Sequence, residues 1–283
     1  MVLFILDTRR KKYYNASNVN SIHIYKLFSG VRMNRTVERT FNILQLIADS
    51  KRGITLQEIA NEMEMAKSSV FVIVQSLLEL NYISTLRDND KKYCLGIETF
   101  SLGMKYVDDM SLIRECSVHI QPIAEKYNKT AFVAVLNGTK IVYIHKYVAQ
   151  NAKLASCAIG TRKDAYATSL GKAILAFLPQ DEQSEILDQI QFKQLTQYTI
   201  TSKEQLMEEL RKTRERGYSM DVRELEDITS CCGAPVFDYT GKVIAAISLS
   251  DIYNENLDDE QVAKDLKGVA EQISRGLGYH PNG

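Results

Sequence analysis

Apolar residues recur at helical spacing from shortly after residue 33. This spacing predicts an amphipathic helix whose apolar face carries Val37, Phe41, Leu44 and Ile47. Thr55 followed by Glu58 is a capping-box signature and predicts the start of a second, short helix. A third helix is predicted over "KSSVFVIVQSLLELNYI", and two alternating runs around "LRDNDK" predict a hairpin. This order is typical of a winged helix-turn-helix, which we place at 33–96; a generic three-helix packing module is the alternative.

The remainder of the chain shows strand patterning alternating with helices. Residues 97–110 are predicted to form a linker helix, and residues 111–278 a second domain. In that domain, alternating runs predict a hairpin around Asn137-Gly138, a third strand over "AKLASCAI" and three later strands beginning at "YSMDV". The predicted fold class is therefore α+β, with an N-terminal winged helix-turn-helix and a C-terminal domain built on an antiparallel sheet.

Charge gives no general indication of a polyanionic partner. The 283 residues contain 35 Lys and Arg against 35 Asp and Glu, so any DNA-binding surface must arise from local arrangement. Residues 1–32 differ, with six basic residues against the single acid Asp7. Two interpretations of this extension stay open: a basic arm that contacts DNA phosphates, or a misplaced start, with Met33 as the first residue.

The cysteine count and the absence of known nucleotide and metal motifs limit the classes of function that the protein can have. Five cysteines, an odd number without C-x-x-C spacing, favour reduced thiols in a cytoplasm over a disulfide framework. No apolar stretch is long enough for a membrane span, and no nucleotide or metal motif is present, so we predict no cofactor, no metal site and no membrane partner. The Gly-Lys pair in "TSLGKA" lacks the upstream glycine of a phosphate loop.

Two adjacent thiols, Cys231 and Cys232, lie in one predicted strand. Because strand side chains alternate, they should point to opposite sheet faces, with Cys231 beside Gly233 and room there for a ligand. By the same alternation Ser248 and Ser250 share a face. The backbone N–H groups that open the helix at 168–170 form a potential anion site. These groups together favour a small polar pocket suited to a carboxylate or a 2-oxo acid.

Three segments, "GTRKDAYATSLGKAILAFL", "YTITSKEQLMEELRKTRERGYSMD" and "SCCGAPVFDYTGKVIAAISLSD", resemble the effector domain of IclR-family bacterial transcription regulators. "LQEIA" and "KSSV" resemble the DNA-binding domain of that family, so the resemblance extends over 33–275. It implies a GAF-like effector domain behind the linker helix. It also implies an effector pocket formed by Ser169, Leu170, Asp221, Cys231, Ser248 and Ser250.

The chain departs from the family in its third helix. Family members often carry His-Arg after "KS-x-V", whereas this chain has Phe71 and Val72. The remaining candidate DNA contacts are Lys67, Ser68, Ser69 and Gln75 on the helix and Arg87, Lys91 and Lys92 in the wing. A solvated hairpin is the alternative interpretation of the wing charges.

The predicted function is a ligand-responsive regulator, a repressor rather than an activator, and not an enzyme. Its expected partners are a double-stranded DNA operator, a small organic acid as effector, and further copies of itself as a homodimer or dimer of dimers. The alternatives are a thiol-based redox-sensing regulator and a GAF-type thiol enzyme using Cys231 and Cys232.

Overall fold

The computed structural model of the protein describes residues 4–7, 12–15, 34–86, 89–108, 111–153, 157–255 and 259–280. The chain divides into two compact units, Met1–Tyr106 and Val107–Gly283. The division falls inside the predicted linker helix.

The first unit consists of short helices and two small sheets. Its elements are β1 (Phe4–Asp7), β2 (Lys12–Asn15), α1 (Arg35–Asp49), β3 (Ile54–Thr55), α2 (Leu56–Glu62), α3 (Lys67–Glu79), β4 (Ile83–Leu86), β5 (Asn89–Leu95) and α4 (Ile97–Asp108), which crosses the boundary between the units. Strands β1 and β2 pair with each other. Strands β3, β5 and β4 form an antiparallel sheet in that order.

The helices of this unit begin as the sequence predicts, but α1 packs through Ile43 and Ile47, whereas Val37 and Phe41 of its predicted apolar face are exposed. Thr55 and Glu58 form the capping box of α2, in which the Glu58 carboxylate accepts the Thr55 N–H at 2.7 Å. The buried core joins all three helices to the wing through Ile43, Ile47, Ile59, Val70, Val74 and Ile83. The predicted order of helices and hairpin is confirmed, and β3 is an additional short strand that ties the start of α2 to the wing.

The second unit is a six-stranded antiparallel sheet with helices on both faces. Its elements are α5 (Ser111–Tyr127), β6 (Thr130–Asn137), β7 (Lys140–Val148), β8 (Arg162–Asp164), α6 (Ser169–Phe177), α7 (Gln180–Gln189), α8 (Lys203–Arg216), β9 (Ser219–Val222), β10 (Thr229–Phe237), β11 (Val243–Ile252) and α9 (Asp259–Gly276). A 3₁₀ turn, Ala165–Ala167, precedes α6. The strand order is β8-β7-β6-β11-β10-β9.

Strand alternation sorts the side chains of this sheet into two cores. Val133 and Ile247 pack against α5 and α9, whereas their neighbours Phe132 and Ala246 pack on the face that α6 covers. This separation of alternate residues is the pattern expected for a sheet that is buried on both faces. The predicted α+β fold with an antiparallel sheet is confirmed.

One predicted strand is wrong. Residues 152–153 and 157–159 of the stretch "AKLASCAI" form no strand, and residues 154–156 lie outside the described residues. The next strand described after β7 is β8, at Arg162–Asp164. Cys157, the cysteine of this stretch, packs at the edge of the second core.

Candidate functional site

A small cavity lies among the sheet, the first turn of α6 and the connection between β9 and β10. All six residues predicted for an effector pocket line it: Ser169, Leu170, Asp221, Cys231, Ser248 and Ser250. Seven further residues complete the wall, namely Phe132, Tyr143, Cys157, Thr168, Leu225, Glu226 and Thr229. The structure thus brings the predicted residues together, while their binding of an effector stays a prediction.

The hydroxyls and the thiol of the cavity come from two paired strands. Cys231 and Ser250 are direct partners in the ladder between β10 and β11, and the Cys231 thiol donates to Ser250 Oγ at 3.1 Å. Ser248 lies two residues away on the same face. Cys232 is buried in the opposite core with α5 and α9, which confirms that the two adjacent thiols face opposite sides of the sheet.

The space beside Gly233 is not free for a ligand, so that expectation is wrong. A Cβ at Gly233 would lie 2.7 Å from the Ser169 carbonyl oxygen, because the first turn of α6 packs directly against the strand at this position. Ser219 Oγ donates to the same carbonyl at 2.5 Å and holds the helix at this distance. The glycine therefore brings the N-terminus of α6 to the sheet and does not itself create room for a ligand.

The N-terminus of α6 faces the cavity. Thr168 is its N-cap, and Thr168 Oγ1 accepts the Gly171 N–H at 3.0 Å. The N–H groups at Ser169 and Leu170 belong to the first turn, which has no intrahelical acceptors for them. Such a turn, lying in a cavity wall, provides N–H donors and a positive helix end for an anionic group.

Asp221 is the carboxylate of the cavity, and it is only 1% exposed. Its Oδ1 accepts the N–H groups of Glu224 at 2.9 Å and Leu225 at 3.4 Å, so the side chain also holds the turn after β9. Burial raises the pKa of Asp221 to about 7, although nearby Lys172 acts in the opposite direction. Near neutral pH this carboxyl group therefore exists in both the protonated and the ionised form.

A buried ion pair lies behind Asp221, and sequence analysis missed it. Lys172 is 0% exposed, and its Nζ donates to Glu224 Oε1 at 2.5 Å. The other carboxylate oxygen, Glu224 Oε2, is buried and has no hydrogen-bond partner among the described residues. Lys172 belongs to the Gly-Lys pair that was considered only as part of a phosphate loop, and no local signal indicates its partner 52 residues later.

The connection between β9 and β10 forms one wall of the cavity and is held in place by polar contacts. Thr196 Oγ1 donates to the Arg223 carbonyl at 2.6 Å, and Thr199 Oγ1 donates to the Glu224 carbonyl at 2.7 Å. The Arg223 guanidinium lies over the Tyr198 ring, 4.3 Å from its centroid. These contacts position Leu225 and Glu226 over the cavity.

The cavity is small and acidic as it stands. Its volume is about 20 Å³, roughly the room that one water molecule needs. Its ionisable lining residues include Asp221 and Glu226, and its described wall contains no Lys or Arg. An anion would therefore be bound through N–H, hydroxyl and protonated carboxyl groups, and the walls must move to admit it.

The Cys231 thiol has an environment that disfavours thiolate chemistry. Burial raises its pKa well above the usual value, and the neighbouring Asp221 charge raises it further, whereas the hydrogen bond to Ser250 acts in the opposite direction. A reactive cysteine requires a shift in the opposite direction, to a lowered pKa. The observed environment therefore does not favour the redox and thiol-enzyme alternatives.

The predicted DNA contacts lie in the first unit. Lys67, Ser68 and Ser69 are exposed at the start of α3, and Gln75 is partly exposed further along the helix. In the wing, Lys91 is exposed and Lys92 is partly buried. The pKa of Glu58 is lowered mainly by its hydrogen bonds with Thr55, and the charge of Lys92 adds to this shift. Arg87 lies outside the described residues.

The described part of the chain contains neither a membrane-spanning helix nor a cluster of metal ligands. No described helix is long and apolar enough to cross a membrane. Within the described ranges, no group of three or more His, Cys, Asp and Glu side chains is arranged to hold a metal ion.

Comparisons with protein families match most of the chain. Residues 36–87 match the IclR helix-turn-helix domain, and residues 104–275 match the C-terminal domain of the bacterial transcriptional regulator IclR. The HTH-type transcriptional regulator KdgR of Escherichia coli is 34% identical over 248 residues, which are 87% of this chain and 93% of that protein.

Solved structures with the same fold agree with these family matches. The crystal structure of Thermotoga maritima IclR is 30% identical, with a TM-score of 0.68 over 86% of this chain and 99% of that one. An IclR homologue from Microbacterium hydrocarbonoxydans, solved in complex with 4-hydroxybenzoate, has a TM-score of 0.75 over 85% of this chain and 98% of its own. At 19% identity the second likeness concerns the fold alone.

Proposed function

The chain belongs to the IclR family of bacterial transcriptional regulators, and from that premise we propose that a small organic acid in its cavity controls its binding to a DNA operator. The protein is a DNA-binding transcriptional regulator and not an enzyme. The observation that carries the proposal is the convergence of Asp221, Cys231, Ser248 and Ser250 with the N-terminus of α6 around one cavity.

The proposed effector is a small carboxylic or 2-oxo acid. Its carboxylate would bind the N–H groups of Ser169 and Leu170, and its other oxygens would bind the serine hydroxyls. Protonated Asp221 donates a hydrogen bond to such a ligand, whereas ionised Asp221 repels it. The absence of Lys and Arg from the described cavity wall favours a ligand with one negative charge over one with two or three.

Effector binding in this proposal changes the conformation of the second unit. A cavity of about 20 Å³ does not hold an organic acid, so binding selects a state with a wider cavity. The connection between β9 and β10 is a part of the wall without strand pairing, and its movement would alter the contacts of Thr196 and Thr199. A coupling free energy of about 1–3 kcal/mol between effector and DNA is enough for regulation.

We expect one acid from a panel of 2-oxo, sugar and hydroxybenzoic acids to raise the melting temperature of the full chain. At a concentration one hundred times its dissociation constant, the ligand adds about 2.7 kcal/mol to the free energy of unfolding. The same acid should change the affinity of the protein for an operator selected from random duplex DNA, measured by fluorescence anisotropy.

Variants locate the binding site of that acid. Ser250→Ala should weaken the thermal shift, because it removes a cavity hydroxyl, whereas Met207→Ala on the exposed side of α8 should leave it unchanged. An acid that stabilises both variants equally binds elsewhere, and that result would contradict the cavity as the effector site.

The first unit is the proposed operator-binding unit. Helix α3 would enter the major groove and the wing would lie along the adjacent backbone. The proposed contacts are Lys67, Ser68, Ser69 and Gln75 from the helix, and Arg87, Lys91 and Lys92 from the wing. The phosphate contacts in this set supply affinity, and the base contacts supply specificity.

A homodimer is the proposed minimal assembly. The first unit leaves apolar side chains exposed on α1 and α4, with Phe41 66%, Ile97 67% and Phe100 63% exposed. Exposed apolar residues at helical spacing on two helices of one unit are typical of a subunit interface. Two copies joined there would present two recognition helices to a near-palindromic operator.

We expect the double substitution Phe41→Glu and Phe100→Glu to yield monomers in sedimentation-velocity experiments, because charges at an apolar interface oppose association. Met207→Glu also places a charge at an exposed apolar position, on α8, and it should leave the assembly unchanged. A dimer that persists in the double variant places the interface on another surface.

A further inference from the structure

Helix α3 presents a mixed polar and apolar stripe on its exposed side. Ser68, Phe71, Val72 and Gln75 follow each other at spacings of three, one and three residues, so they share one side of the helix. Phe71 is 48% exposed and Val72 is 64% exposed. We call these four residues the α3 stripe.

The packing of the helix fixes the direction in which the stripe points. Val70, Val74 and Leu77 are buried against the other helices and the wing, on the side of α3 opposite the stripe. The two apolar residues therefore cannot enter the core of this unit without rotating the helix and exposing those three side chains. Their exposure is thus imposed by the core of the unit.

The stripe lacks the side chains that usually read guanine. Arg and Lys recognise guanine O6 and N7, and the basic residue of α3 is Lys67, which lies at the first position of the helix and outside the stripe. A recognition helix without a basic residue on its reading side must obtain specificity from another feature of the bases. In the major groove, thymine alone presents a methyl group, and adenine presents the donor–acceptor pair that suits a glutamine amide.

We propose that Phe71 and Val72 read thymine methyl groups in the operator half-site through apolar contact, with Gln75 reading an adenine in the same A·T-rich segment. The inference rests on the proposed function, since it assigns the base preference of that DNA-binding surface. Each contact removes a methyl group and part of an exposed side chain from water, which stabilises the complex.

Replacement of thymine by uracil in the selected operator tests the contact directly, because it removes the methyl group and leaves base pairing and charge unchanged. We expect affinity to fall about fourfold for each contacted thymine, the effect of one buried methyl or methylene group. Thymines elsewhere in the duplex should be insensitive to this substitution.

A double-mutant cycle assigns the effect to the side chain. For the full-length Phe71→Ala variant, the uracil and thymine duplexes should bind equally at the position that Phe71 contacts, and Val72→Ala should behave similarly at its own position. Leu80→Ala provides the matched control, because Leu80 is 60% exposed at the end of the same helix and lies outside the stripe. That variant should retain the full response to uracil.

Three results would overturn the inference: half-sites without thymine, uracil duplexes that bind as tightly as thymine duplexes at every position, or an undiminished uracil effect in both alanine variants. The uracil measurement on the wild-type chain requires no variant to fold. Failure of the full chain to enrich any sequence would overturn the proposed regulator as well, so the two failures are distinguishable.

Discussion

Replacing Lys172 with methionine is expected to lower the free energy of unfolding by about 3–5 kcal/mol, because the substitution leaves the Glu224 carboxylate buried without its cation. Glu224 Oε2 already lacks a hydrogen bond within the described structure, so Lys172 is the stabilising partner of this group. Lys172 also lowers the pKa of Glu224 and of Asp221, and its loss favours protonation of both. The destabilisation should therefore be larger at pH 8 than at pH 5.

Chemical denaturation at the two pH values measures this effect, and two further variants control it. The double variant Lys172→Met with Glu224→Leu should recover most of the loss, because a buried ion pair can be replaced by apolar side chains at little cost. Lys140→Met removes an exposed pair with Asp164 and should change stability by less than about 1 kcal/mol. A Lys172 variant as stable as the Lys140 variant would contradict a stabilising role for the buried pair.

Local sequence pattern is sufficient to predict one part of the cavity. Alternation along "KVIAAISLSD" separates Ser248 and Ser250 from Ile247 and Leu249, which the structure places in the opposite core. The same rule separates Cys231 from Cys232. Strand faces are predictable in this way because the period of a strand is two residues and each face has its own environment.

Contacts between distant segments are not contained in such a pattern. Tyr143 reaches the cavity from β7 and Cys157 from the segment between β7 and β8, and Lys172 in α6 meets Glu224 in the connection after β9. The prediction over "AKLASCAI" failed at its described residues for the same reason, since Cys157 packs at a core edge without strand pairing. Asp221 became a candidate through family resemblance, because a lone aspartate in a strand has no signal of its own.

Gly233 shows how one residue can support two opposite expectations. A missing side chain leaves space, and sequence alone does not indicate whether a ligand or another part of the chain occupies it. In the structure the Ser169 carbonyl occupies that space. The first turn of α6 consequently lies within reach of the cavity, so the glycine acts on the proposed site through the helix that it admits.

Replacing Asp221 with asparagine is expected to stabilise the protein at pH 8 and to leave its stability nearly unchanged at pH 4. Burial raises the pKa of Asp221 from 3.8 to about 7 in the folded state, so the folded wild type binds a proton that the unfolded chain releases. The stability associated with the neutral carboxyl is fully present below pH 3.8 and is lost as pH rises to about 7. Each pH unit in that interval lowers the free energy of unfolding of the wild type by about 1.4 kcal/mol. The free energy of unfolding of the asparagine variant should therefore exceed that of the wild type by about 3–5 kcal/mol at pH 8.

The charged and titratable groups around Asp221 set the conditions of this test. Lys172 in α6 stabilises the ionised form, whereas Glu224 disfavours it and Cys231 shares the same buried wall. Asparagine retains an oxygen that can accept the two backbone N–H groups, so the turn after β9 should persist. Asp227→Asn, an exposed position in the same connection, is the matched control and should show no comparable dependence on pH.

Effector binding gives the second measurement on the Asp221→Asn variant. The affinity of the wild type for an acid should fall as pH rises through about 7, because the carboxyl changes from a hydrogen-bond donor to a repelling charge. The asparagine amide keeps a donor and carries no charge, so the variant should bind the acid with little dependence on pH, as measured by isothermal titration calorimetry from pH 5.5 to 8.5. Equal pH dependence in wild type and variant would exclude Asp221 as the titrating group, and a variant no more stable than wild type at pH 8 would contradict a protonated carboxyl in the folded state.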